Sequence, residues 1–200
     1  MCGIVGYVGN KNAQKILFSS LAKLEYRGYD SSGIAIRGSG ITVNKDCVRV
    51  NQLEAKSVNL EGSIGIGHTR WATHGHPSAL NSHPHLDCSG RIAVVHNGVI
   101  SNYQRLREML ISEGHRFTSE TDTEVIPHLI EKYYRGNLEE AISIMMNCLE
   151  GSYAIAAIIE NETKIVVARK DSPLVIGIGN GENFVASDVP ALLDYTNRVI

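Results

Sequence analysis

The 200-residue chain is 43% apolar and carries 19 basic against 21 acidic residues, a formal net charge of -2. That apolar content supplies one substantial core, and the length favours one domain over two. The charges are spread along the chain with no basic face for a phosphate backbone, and the apolar runs fall far short of the roughly 20 residues of a membrane-spanning helix, so nucleic acid and membrane are excluded as partners.

The run from Cys2 to Val8 is short, apolar and glycine-punctuated, as a buried strand should be, and it starts at the first residues of the sequence. Apolar residues at 13, 16, 17, 21 and 24 follow helical spacing and stop at Arg27-Gly28, predicting a helix over about 12–25. Strand-like runs follow at 33–36, 41–44, 64–68 and 91–96. Helical patterns then cover about 102–113, 122–135 and 137–149, the second opened by a Thr121-x-x-Glu124 capping-box pattern. Strands return at 153–159, 164–168, 174–178 and 184–186. Strands, then helices, then strands suggests an α+β chain of antiparallel sheets covered by helices. No repeat, low-complexity segment or linker divides it.

The N-terminus has neither a basic leader nor a long apolar stretch, which predicts a cytoplasmic protein. Cysteines 2, 47, 88 and 148 show no CxxC pairing and are expected as reduced thiols.

Cys2 stands out by position. Once Met1 is removed, one residue holds both a thiol and an α-amine, whose reference pKa of about 7.7 to 8.0 suits it to take a proton and later return it. The competing reading is a small buried hydrophobe. Three further stretches offer groups suited to an amino-acid substrate: Gly67-His68-Thr69-Arg70-Trp71-Ala72-Thr73-His74-Gly75, His96-Asn97-Gly98, and Ser119-Glu120-Thr121-Asp122-Thr123-Glu124. Arg70 can grip a carboxylate with two prongs, and Asp122 can hold an ammonium. Asn97 and the Gly98 N–H can receive an oxyanion.

Each has a plainer reading. Asn97-Gly98 between apolar pairs is a strong hairpin signal, Asp122 suits a helix start, and Arg70 beside Trp71 suits a stacked surface pair. Six of the eight histidines lie between His68 and His96, but no carboxylate or second cysteine joins them at ligand spacing, so no metal is expected. Gly177-x-Gly179-x-Gly181 sits between strands with no helix following, which favours a turn over a phosphate loop.

Taken together, Met1-Cys2-Gly3-Ile4-Val5-Gly6, Glu25-Tyr26-Arg27-Gly28-Tyr29-Asp30-Ser31, His68 to Gly75, Val95-His96-Asn97-Gly98, Ser119 to Glu124 and Ser172-Pro173-Leu174-Val175-Ile176-Gly177 resemble the class II glutaminase domain of glucosamine-6-phosphate synthases. The resemblance covers nearly the whole chain. It implies a four-layer αββα sandwich of the N-terminal-nucleophile hydrolase type over residues 2–200. It also implies hydrolysis of L-glutamine through a Cys2 thioester, with Asn97 and Gly98 as oxyanion hole and Arg70 and Asp122 holding the substrate. Trp71, Thr73 and His74 would line the pocket with Gly98; Arg27 would position Cys2, and His85 would support the catalytic loops. No cofactor is implied. In the longer enzymes the resemblance implies a sugar-isomerising half that binds fructose 6-phosphate and receives the ammonia. None of that half is in this sequence, which is therefore expected to be a domain truncated at its C-terminal end. A homo-oligomer is compatible with all of this.

Overall fold

The structure, a computed structural model, describes residues 2–72 and 75–200. Among them, ten strands form two antiparallel sheets. The larger has the order β3-β2-β4-β1-β10-β9, built from β1 (Gly3–Val8), β2 (Ser31–Arg37), β3 (Ile41–Asp46), β4 (Ile64–Arg70), β9 (Val175–Ile178) and β10 (Asn183–Ala186). The smaller, β5-β6-β7-β8, comprises β5 (His85–Leu86), β6 (Ile92–Ile100), β7 (Gly151–Ile159) and β8 (Val166–Lys170). Helices α1 (Ala13–Ala22) and α2 (Val50–Lys56) cover the larger sheet; α3 (Tyr103–Ser112), α4 (Val125–Tyr133) and α5 (Leu138–Met146) cover the smaller.

Side-chain alternation builds these layers. In β7, Tyr153, Ile155, Ala157 and Ile159 face the helices, while Ala154, Ala156 and Ile158 face the opposing sheet. In β1, Val5 and Tyr7 pack toward α1, and Ile4 enters the inter-sheet core. Both sheets are thus buried on two faces, so their strands read as nearly continuous apolar runs. This is the expected four-layer αββα sandwich, and no helix among the described residues is long and apolar enough to cross a membrane.

Three local expectations are corrected. The hairpin reading of Asn97-Gly98 fails because β6 runs straight through the pair, with Asn97 opposite Ala154 and Gly98 opposite Tyr153 in β7. The Thr121-x-x-Glu124 capping box does not form. Glu124 turns back to accept the N–H groups of Thr118 and Ser119 at 2.7 and 2.6 Å, and the helical segment starts as a 3-10 turn at Asp122–Glu124 before α4. The first helix ends at Ala22, and a separate 3-10 turn, Glu25–Arg27, follows it. The Gly179 segment is a turn as expected, its N–H bonding to Glu182 O at 2.8 Å.

Candidate active site

Cys2 immediately precedes β1, a strand paired on both sides, with β4 and β10. Its carbonyl accepts two hydrogen bonds, from Arg27 Nε at 3.1 Å and from Asn97 Nδ2 at 3.0 Å. Arg27 is itself buried and paired with Asp188 at 3.0 Å, which also accepts the Tyr26 hydroxyl. Cys2 is therefore clamped by the 3-10 turn after α1 on one side and by β6 on the other.

The thiol accepts the Trp71 N–H at 3.2 Å. Burial pushes its pKa up, against the opposing pull of that N–H and of the Arg70 and Arg27 charges. A thiol so placed stays protonated near neutral pH and needs a base to become a nucleophile.

The Glu25–Asp30 stretch aims the Trp71 amide. A Cβ on Gly28 would stand 2.7 Å from Trp71 N and 2.8 Å from the Arg70 carbonyl carbon, so only glycine admits this approach of two backbones. Asp30 Oδ2 accepts the Ala72 N–H at 3.0 Å, and the Asp30 N–H bonds to Arg70 O at 3.0 Å. The Trp71 ring is half exposed and meets Tyr29 edge-on, with centroids 5.7 Å apart.

A narrow cleft opens beside the thiol, lined by Cys2, Arg70, Trp71, His83, His96, Gly98, Thr121, Asp122 and Thr123. Arg70, at the end of β4, is buried and donates from Nη2 to Gly75 O at 3.1 Å; burial lowers its pKa, while the nearby Cys2, Asp122 and Asp30 oppose that. Asp122 is also buried, and its Oδ2 accepts the Ile100 N–H at 2.8 Å. Gly98 has φ +126°, and a Cβ there would sit 2.1 Å from Ser152 O, so no other residue can hold this strand position.

Of the expected site residues, the structure brings Cys2, Arg70, Trp71, Gly98 and Asp122 to one cleft, with Asn97 and Arg27 gripping the Cys2 carbonyl behind it. Thr73 and His74 lie outside the described residues, as does Met1. His85 stands one step back: its Nε2 is 3.0 Å from Thr121 Oγ1, and its ring packs on His83.

Sequence reasoning named His85 as a support but missed that it belongs to a row of buried histidines, with His68, His83 and His96, at the cleft. His68 Nε2 lies 2.9 Å from Asn97 Oδ1 and 3.0 Å from His96 O; both partners only accept, so the ring carries its proton there. His83 stacks on His68 at 4.1 Å and accepts the His96 N–H at Nδ1. His96 Nδ1 pairs with Thr123 Oγ1 at 2.8 Å. Burial lowers the pKa of all four rings, His68 to about 3. They are neutral supports that orient Asn97 and the Thr121–Thr123 turn. The dense histidine spacing was the available signal; the sequence reading set a metal aside and gave a supporting role to His85, but not to His68, His83 or His96. Among the described residues, the one grouping of ligand atoms close enough to share an ion lies around Cys88 and uses none of these four.

A profile of the glutamine amidotransferase domain family matches residues 68–194. Similar curated proteins include glutamine–fructose-6-phosphate aminotransferase (isomerizing) of Caldanaerobacter subterraneus subsp. tengcongensis, 57% identical over 203 residues covering 100% of this chain and 33% of that protein. A Thermus thermophilus protein of the same name is 55% identical, over 100% of this chain and 34% of its own length. The chain thus spans about a third of the length of the curated relatives it matches. Among solved structures, glutamine phosphoribosylpyrophosphate amidotransferase from B. subtilis, complexed with ADP and GMP, superposes with a TM-score of 0.86 at 29% identity, covering 98% of this chain and 44% of that one.

Proposed function

The chain belongs to the glutamine amidotransferase domain family, and on that premise we propose that Cys2 releases ammonia from the side-chain amide of L-glutamine. The observation that carries the reading is the convergence of a half-buried thiol, Arg70, Asp122 and the Asn97-Gly98 pair, drawn from both sheets onto one cleft.

With Met1 removed, the α-amine of Cys2 takes the thiol proton and the sulfur attacks the amide carbon. Asn97 Nδ2 has one hydrogen on the Cys2 carbonyl and a second for the developing oxyanion, which the Gly98 N–H also receives. The carbon–nitrogen bond then breaks as the amine returns its proton, ammonia departs and a thioester remains. Water, activated by the same amine, cleaves the carbon–sulfur bond and frees glutamate. Arg70 would hold the substrate carboxylate and Asp122 its ammonium, and Trp71 would line the pocket beside them.

The names of the relatives support a further step. In a longer protein this domain, over residues 2–200, would supply ammonia to a sugar-isomerising part that aminates fructose 6-phosphate in the cytoplasm.

The test is ammonia release by the purified chain, with loss of Met1 verified by mass spectrometry, beside Cys2→Ala. Turnover in the wild type, with none in the variant and glutamine binding retained by calorimetry, is the expected result. A processed wild type that binds no glutamine, or binds it without turnover, overturns the reading.

A further inference from the structure

Four side chains remote in sequence converge outside the glutamine cleft. Cys88 belongs to the turn between β5 and β6, His115 to the loop after α3, and His128 and Glu131 occupy one face of α4 at i and i+3. Cys88 Sγ is 3.7 Å from His115 Nδ1 and 3.6 Å from His128 Nδ1; Glu131 Oε2 is 2.9 Å from His115 Nδ1 and 3.5 Å from His128 Nδ1. All four ligand atoms lie within 4.8 Å of one another.

The four pair distances of 2.9 to 3.7 Å lie near the edges of a tetrahedron, while the group as a whole, within 4.8 Å, is slightly wider than one. Zinc bonds of about 2.3 Å to sulfur and 2.0–2.1 Å to nitrogen put ligand atoms about 3.5 Å apart along a sulfur–nitrogen edge and about 3.3 Å along a nitrogen–oxygen edge. Charge balances as well, since a thiolate and a carboxylate neutralise one divalent ion beside two neutral imidazoles. The surroundings match those of metal ligands. The Arg116 N–H donates to Cys88 Sγ at 3.3 Å, as backbone amides do to bound thiolates. With His128 bonded through Nδ1, its Nε2 faces Glu124 Oε1 at 3.8 Å, a carboxylate already fixed by Thr118 and Ser119. Cys88 is exposed and borders an open cleft with Arg116, Thr118 and Glu124, which leaves an entry path.

We propose that Cys88, His115, His128 and Glu131 form a structural zinc site, independent of the glutaminase reading. Binding displaces the thiol proton to solvent, so affinity rises with pH. The ion would fasten the β5–β6 turn and the loop after α3 to α4, and through Glu124 would steady the Thr118–Glu124 segment that ends in the cleft at Asp122. Its ligand set is closed, with no open position for chemistry.

The experiment strips the purified chain with a chelator, titrates it with Zn²⁺ against a chromophoric competitor, and repeats the titration with Co²⁺. One tight equivalent is expected, with tetrahedral visible bands and a sulfur-to-cobalt charge-transfer band for the cobalt form. Cys88→Ser should lose the charge-transfer band and weaken zinc binding at least 10–100-fold. Because Cys88 is exposed, that substitution leaves folding intact; Cys2→Ala should keep both the equivalent and the band. No bound equivalent in the wild type, or a band that survives Cys88→Ser and disappears in Cys2→Ala, overturns the site.

Discussion

At the scale of single residues, Cys2, the proposed nucleophile, is held by its carbonyl, and Asn97, which holds it, is in turn held by His68. The ring's Nε2–H fixes Asn97 so that its oxygen faces inward and its amide hydrogens face Cys2. His68→Phe keeps an aromatic stack on His83 but removes that donor. It should lower kcat for ammonia release about 10–100-fold with a smaller change in KM, less than the roughly 10²–10³-fold expected when Asn97→Ala removes an oxyanion donor outright. Steady-state kinetics on the two variants would check the ordering. A His68→Phe enzyme with unchanged kcat would show that Asn97 needs no help. Much of this site was legible: Cys2, Arg70 and Asp122 carry chemistry in their side chains, which a sequence displays. Asn97-Gly98 was harder, because its local signal is that of a turn and only the pairing of β6 with β7 overrides it. His68 escaped notice because its role depends on what lies across the inter-sheet space, which no local spacing encodes.

At the scale of elements, the tight turn before β2 has no steric slack. Gly28→Ala must push apart two backbones that leave no room for a methyl, which should destabilise the fold by about 1–3 kcal/mol. Thermal denaturation measures that cost, and slower alkylation or altered titration of Cys2 would report the displaced Trp71 amide. A variant as stable as the parent would mean that the turn relaxes freely. The longer elements were readable because their apolar spacing is redundant: β7 and the helical patterns each repeat their signal several times. Helix α2 was not, since Val50 and Leu53 are its only buried residues and the Val50 N–H is capped by Glu25, far away in the chain. The two-residue β5 is likewise too short for any pattern to form.

At the scale of the whole molecule, the buried histidine row makes the sandwich sensitive to acid. His68 titrates at about 3 in the folded chain against roughly 6.5 when unfolded, so between those values the unfolded chain binds the extra proton and stability rises with pH. The other three rings are lowered too and act in the same direction. Stability should therefore be fully present above about pH 6.5 and fall on acidification by up to about 1.4 kcal/mol per pH unit for each fully depressed ring. Calorimetric melting between pH 7 and 5 should show a steadily decreasing Tm; a flat profile would mean that these rings are not held neutral. The layered arrangement was legible in broad outline, whereas the order of strands across each sheet was not, because it depends on pairings between distant segments. One of those pairings sets a clock. Strand β1 finds one neighbour in β4 but the other only in β10, where Val5 meets Ala186. A chain emerging from the ribosome presents Cys2 long before the strand that completes the flank beside it, and such long closures are slow. Under the proposed reading, a half-made domain cannot spend glutamine: the nucleophile waits in silence until its distant neighbour has been made.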